Sequence, residues 1–151
     1  ANIGGVMSLK AADVDPNSPD IEILLGTAEQ DLGTLSGKLI VYTSTWTELW
    51  KTPSIGFVMS LGVGDPNNDG LKEILVGAAY FSDSSGFNAS FNSTLHVYSG
   101  LTRQELSNQT GFHEFTTTFI LLDADNDGIQ ELIFAEWLEN ALACYIRMYG
   151  M

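Results

Sequence analysis

Basic residues are scarce in this chain: six Lys and Arg stand against 19 Asp and Glu, for a formal net charge of −13. That balance excludes a nucleic-acid footprint and a basic patch for anionic membranes. Cys144 is the single cysteine, so an internal disulfide framework is excluded. No apolar run approaches the roughly 20 residues that a spanning helix needs, and membrane insertion is not expected. Ala1 is not followed by a charged stretch and an apolar core, so no signal peptide is visible; a processed secreted chain would read the same way. The two histidines, His96 and His113, have no Ser or Cys partner at a recognisable nucleophile motif. Enzymatic activity is therefore not expected. What is present is 44% apolar and 11% aromatic residues over 151 positions, enough for one domain with its own core.

The chain repeats itself. Ile3-Gly4-Gly5-Val6-Met7-Ser8-Leu9 returns as Ile55-Gly56-Phe57-Val58-Met59-Ser60-Leu61, 52 residues later. An acidic stretch follows each copy, Asp13-Val14-Asp15-Pro16-Asn17 and Asp65-Pro66-Asn67-Asn68-Asp69-Gly70. A third, Asp123-Ala124-Asp125-Asn126-Asp127-Gly128, lies 58 residues after the second. Each is followed by an acid and an apolar run: Glu22 to Gly26, Glu73 to Gly77, and Glu131 to Ala135. A Leu-x-(Val or Cys)-Tyr segment then recurs at Leu39–Tyr42, Leu95–Tyr98 and Leu142–Tyr145. Landmarks in constant order make this an internal repeat.

The units read as β. Their apolar runs are short, rich in Val, Ile, Leu and aromatics, and bounded by Gly, Asn, Asp and Pro. In the first unit the expected strands are Val6–Ala12, Glu22–Gly26, Lys38–Tyr42 and Thr47–Thr52; in the second the fourth lies near Gln104–Asn108. Four strands per roughly 50 residues are the mark of β-propeller blades. The expected fold is all-β: three four-stranded antiparallel blades of propeller type, about 1–53, 54–111 and 112–151, the last without its fourth strand.

The loops carry the chemistry. A hard cation such as calcium takes six to eight oxygen ligands at about 2.3–2.6 Å. Alternate side chains of a tight loop converge on one point, a carbonyl follows, and an acid further on closes the shell. Glycine at the sixth position permits the left-handed turn. The third loop supplies Asp123, Asp125, Asp127, the Ile129 carbonyl and Glu131. The second supplies Asp65, Asn67, Asp69, the Leu71 carbonyl and Glu73. The first offers Asp13, Asp15, Asn17, Asp20 and Glu22, but Ser18 replaces the glycine and one extra residue precedes Glu22. The expected affinity falls in the order third, second, first. Zinc is disfavoured because no Cys or His is placed to coordinate, and magnesium because it retains more of its waters. Up to three calcium ions would bring the net charge from −13 to about −7.

The stretch from Gly56-Phe57 through Gly64-Asp65-Pro66-Asn67-Asn68-Asp69-Gly70 to Val76-Gly77-Ala78-Ala79-Tyr80 resembles the FG-GAP repeats of integrin alpha-chain propellers and microbial surface proteins. The family's Phe-Gly is inverted here, and Ala79 stands where proline is usual. The first and third units keep the loop but depart from the Gly-Ala-Pro end, as Gly26-Thr27-Ala28 and Ala135-Glu136-Trp137. The resemblance implies calcium-stabilised blades in an extracellular or cell-surface setting.

Three blades do not close a ring, since propellers usually need four to eight. The expected partners are other copies of the chain or the missing blades of a longer propeller, in a ring or a filament. A non-enzymatic calcium-binding assembly module ranks first, an adhesin or lectin binding a glycan or protein second, and the propeller of a polysaccharide lyase third. Trp46, Trp50 and Trp137, with Tyr80 and Phe81, either stack on sugars or fill the space between blades. Cys144 reads as a core hydrophobe aligned with Val41 and Val97, and His96 as an outward strand residue. Sequons stand at Asn88, Asn92 and Asn108, the first two in a long loop expected at Phe81–Ser93.

Overall fold

The computed structural model describes residues 4–31, 34–81, 91–113, 119–138 and 143–149. Among these the chain is all-β, with no helix, and so no helix long and apolar enough to cross a membrane. The strands form three antiparallel sheets.

The first sheet runs β1 (Gly5–Ala12), β2 (Glu22–Asp31), β4 (Leu39–Tyr42), β5 (Glu48–Lys51). A short β3 (Thr34–Ser36) pairs with the far end of β2, Glu29 opposite Ser36. That fifth strand was not expected, because residues between Gly26 and Lys38 include no apolar run. The second sheet is β6 (Phe57–Gly64), β7 (Glu73–Phe81), β8 (Phe91–Ser99), β9 (Glu105–His113). The third is β10 (Phe119–Leu122), β11 (Glu131–Leu138), β12 (Ala143–Tyr149). The repeat extends to irregularities: the ladder slips between Val6 and Ser8 and again between Val58 and Ser60.

One correction concerns β12. Tyr42 pairs with Ile23 and Tyr98 with Ile74, which predicts Tyr145 opposite Leu132. The partner of Leu132 is instead Tyr149, and Cys144 pairs with Trp137. Leu138 pairs with Ala143, so only residues 139–142 connect the two strands. A short connection fixes the register and overrides the motif. Cys144 therefore does not share the position of Val41 and Val97.

The sheets pack face against face. Leu24, Leu39 and Val41 of the first meet Val58, Ile74, Val76 and Tyr98 of the second, with Trp50 and Val63 at the edge of the cluster. On the other face Leu75, Leu95 and Val97 meet Phe119 and Leu132 of the third sheet. Adjacent residues of β7 thus serve opposite cores, which is why Ile74-Leu75-Val76 is unbroken by polar residues. Each such side chain contributes about 1.5–3 kcal/mol of burial. Close approach of the sheets requires Gly62, where an added Cβ would lie 2.4 Å from the Phe119 ring. The Ser8 hydroxyl, donating to the Val58 carbonyl at 3.0 Å, joins β1 to β6.

Candidate metal centres

The acidic stretches connect the first two strands of each sheet, so all three occupy the same place in the repeat. The second and third have the same internal hydrogen bonding. Asp65 Oδ1 accepts from the Asp69 N–H at 3.0 Å and Oδ2 from the Gly70 N–H at 2.8 Å. Asp123 does the same for Asp127 and Gly128, at 3.1 and 3.0 Å. Asn67 and Asp125 each accept from the N–H two residues on, at 3.1 and 3.2 Å. Asp69 and Asp127 accept from Leu71 and Ile129, both at 2.8 Å. The backbones match as well: Asn68 and Asn126 have φ of 55° and 63°, Gly70 and Gly128 of 84° and 92°. Two left-handed residues wrap the chain around the first aspartate, which takes the N–H groups of the fifth and sixth positions.

In the third loop Asp123, Asp125 and Glu131 bring one oxygen each within 4.8 Å of one another. No other trio of acids or histidines gathers this way among the described residues. Three carboxylates at such spacing repel one another unless a cation or proton lies between them. The second loop has Asn67 in place of one acid, with its amide 3.1 Å from Asp69 Oδ2.

Each loop is closed by a buried glutamate, and here the three differ. Glu22 Oε2 accepts from the Val14 N–H at 2.9 Å, and Glu131 Oε2 from the Ala124 N–H at 2.7 Å. The corresponding residue of the second loop is Pro66, which has no N–H to give. Glu73, 3% exposed, retains an Oε2 with no hydrogen-bond partner. Burial, reinforced by the Asp69 and Asp65 carboxylates, pushes the Glu73 carboxyl up to about 7. A buried oxygen without a donor, facing two further acids, suits a cation.

The first loop is built otherwise. It has no residue in the left-handed region, and Pro16 stands where the sister loops place Asn68 and Asn126. Proline holds φ near −65°, so the wrap cannot form. Pro16 was the legible signal for this difference, beyond the missing glycine. Asp15 Oδ1 accepts from the Asn17 N–H at 2.9 Å, while Oδ2 lies 3.4 Å from Arg103 of the second sheet. Lys72 reaches the Asp13 carbonyl at 2.7 Å. Asp20 donates its N–H to Ser18 at the exposed surface. Glu22 Oε1, buried and without a partner, is the feature this loop shares with the second.

Lys72 precedes Glu73 as Gln130 precedes Glu131, and both positions contact the preceding loop: Gln130 Oε1 accepts from the Asp65 N–H at 3.0 Å. The loop with no glycine thus receives cations from its neighbour, and the loop with the full wrap receives a neutral amide.

The remaining candidates separate. Trp50 packs 5.9 Å from the Tyr98 ring between the sheets. Trp46 is 62% exposed and lies 5.9 Å from Tyr42. His96 is buried, correcting the outward placement; its Nδ1 lies 2.6 Å from Glu105 Oε1 and its Nε2 has no partner. Asn92 is exposed within β8, not in a loop, since it pairs with Tyr80. Asn108 is exposed in β9, and Asn88 lies outside the described residues. The side chains of Phe81, Trp137 and Cys144 also lie outside them. A cavity of about 450 Å³ opens among the sheets near the loops, lined by Lys10, Val63, Asn68, Gly128 and Gln130 among others. No family model matches this sequence, and no curated protein does.

Proposed function

We propose that the chain is a non-enzymatic, extracellular structural module, rigidified by calcium in its second and third loops and built to assemble through its sheets. The observation that carries this reading is the set of four N–H to side-chain hydrogen bonds shared by two loops 58 residues apart. Asp, Asn and Gly make turns readily, but a turn alone does not call for a buried acid beneath it. The third loop leads because it gathers three carboxylates; the second follows, with one neutral ligand. The first, met by Lys72 and Arg103, loads last. Sites of this oxygen-rich kind in extracellular modules work at about 10⁻⁴–10⁻³ M calcium.

The propeller reading is supported by stacking of like sheets and by contact among their first strands, β1 with β6 and β6 with β10. The resemblance to FG-GAP repeats agrees with that order. The sheets would then be blades that join other copies or further blades of a longer propeller. An adhesin or lectin is the second reading, favoured by the exposed Trp46 beside Tyr42. Calorimetric titration of the chelator-treated chain tests the first reading: uptake of two equivalents of calcium at about 10⁻⁴–10⁻³ M and a higher melting temperature are expected. A chain that takes up no calcium and melts unchanged would overturn it.

A further inference from the structure

We infer that a second copy of this chain docks head to tail, the β1 face of one copy seating on the β10 face of the other. This deepens the assembly reading above and rests on it. Each junction within the chain places the first strand of one sheet against that of the preceding sheet. At the junction of the second and third sheets, Phe119 and Leu121 project from β10 into space left by Gly62 and Gly64. At the junction of the first and second, Leu61 and Val63 project from β6, and Ala12 packs on the same core. The repeat places Lys10 and Ala12 where Gly62 and Gly64 stand. The larger the projecting pair, the smaller the receiving pair.

The free ends continue this series. On β1 the projecting positions hold Leu9 and Ala11, and Leu9 is 64% exposed. On β10 the receiving positions hold Ile120 and Leu122, 52% and 49% exposed. A small projecting pair thus meets a large receiving pair, so combined side-chain size stays close to that of the two internal junctions. The bulky Ile120 and Leu122 would reject another Phe-Leu pair but have room for Leu-Ala. That relation names the occupant: the face that fits β10 is the chain's own β1.

A second position agrees. Ile21, 55% exposed, corresponds to Lys72 and Gln130, the residues that reach the preceding loop. In the docked pair it covers the third loop of the other copy. A loop neutralised by its own metal needs no cation from its neighbour, and Ile21 supplies none. Because the two faces differ, the contact is heterologous: a docked pair either closes into a ring through a second such contact or presents one free face of each kind.

The test uses Leu9→Asp and Leu122→Asp, followed by sedimentation in calcium. Wild type is expected to associate with rising concentration, to a closed dimer or beyond it. Each variant alone is expected to remain monomeric, since it keeps one sound face, and an equimolar mixture to stop at a one-to-one dimer. Both sites are solvent-exposed, and melting curves verify folding. If either variant is unfolded, Ala11→Leu and Leu122→Ala replace them: each alone weakens association at least tenfold, and their mixture restores it. Wild type that stays monomeric at the highest soluble concentration overturns the inference, as does a variant that self-associates like wild type. Calcium uptake is measured on the same samples. Uptake without association removes the docking and leaves the calcium reading standing; no uptake removes that reading instead.

Discussion

The Phe119 ring fills the place where Gly62 would carry a Cβ, at 2.4 Å from its ideal position. Gly62→Ala must therefore push the second and third sheets apart, or turn the ring from its rotamer. A loss of about 1–3 kcal/mol is expected from this overpacking. Phe119→Leu in the same chain should recover part of it, giving a coupling of at least about 0.5 kcal/mol in a denaturation double-mutant cycle. Simple addition of the two losses would mean that the ring and the glycine do not share this space.

Asp123 and Asp125 should answer differently to substitution. Asp123 accepts two backbone N–H groups, so Asp123→Ala is expected to lower stability by about 1–3 kcal/mol even in chelator. Asp125 accepts one, at 3.2 Å. Asp125→Ala should cost little in chelator but remove most of the calcium-dependent gain, about 2.7 kcal/mol at a hundredfold excess over Kd. Thermal melts with and without calcium separate the two. Equal losses of Asp125→Ala under both conditions would leave it as a turn former only.

Glu73 fixes the sign of a pH effect. Its folded pKa, about 7, lies above the ordinary 4.5, so the metal-free folded chain holds a proton that the unfolded chain has released between those values. This contribution to stability is fully present below pH 4.5 and is lost as pH rises to 7. Metal-free chain should melt at lower temperature at pH 7 than at pH 5 on this account, and calcium should reverse the trend by favouring the carboxylate. Pro66→Ala offers Glu73 the N–H that Val14 and Ala124 give its counterparts. The Glu73 carboxyl should then titrate lower, as read by carbon NMR.

His96 has a buried Nε2 with no partner at the position where the first sheet has Ile40. Removing an orphaned polar atom from a core is neutral or favourable, and Glu105, at 40% side-chain exposure, can return to water. His96→Ile is therefore expected to change stability by less than about 1 kcal/mol, or to raise it. A loss of several kcal/mol in urea denaturation would assign the His96–Glu105 pair a structural role.

Much of the strand pattern was legible because Ile74, Leu75 and Val76 obey burial rules that act locally, and the acidic loops recur between the same strands. β3 was missed because its pairing depends on the length of β2, not on an apolar run. The register of β12 follows the short connection at residues 139–142 and not the Tyr motif, so Tyr149 rather than Tyr145 stands opposite Leu132. In the loops the candidate ligand side chains are visible in sequence, but two backbone effects are not carried by residue type. Pro16 bars the left-handed turn of the first loop, and Pro66 deprives Glu73 of a donor. Both act through a backbone N–H or a φ angle, which residue-type matching overlooks.

The middle sheet is covered on both faces, and the first and third are covered by it on one. Amides of β7 should accordingly be the last to exchange with deuterium, and the terminal sheets should open first in partial, reversible steps. Docking of another molecule at either end would turn a terminal sheet into an interior one and slow its exchange, so protection would record where each molecule stands within an assembly.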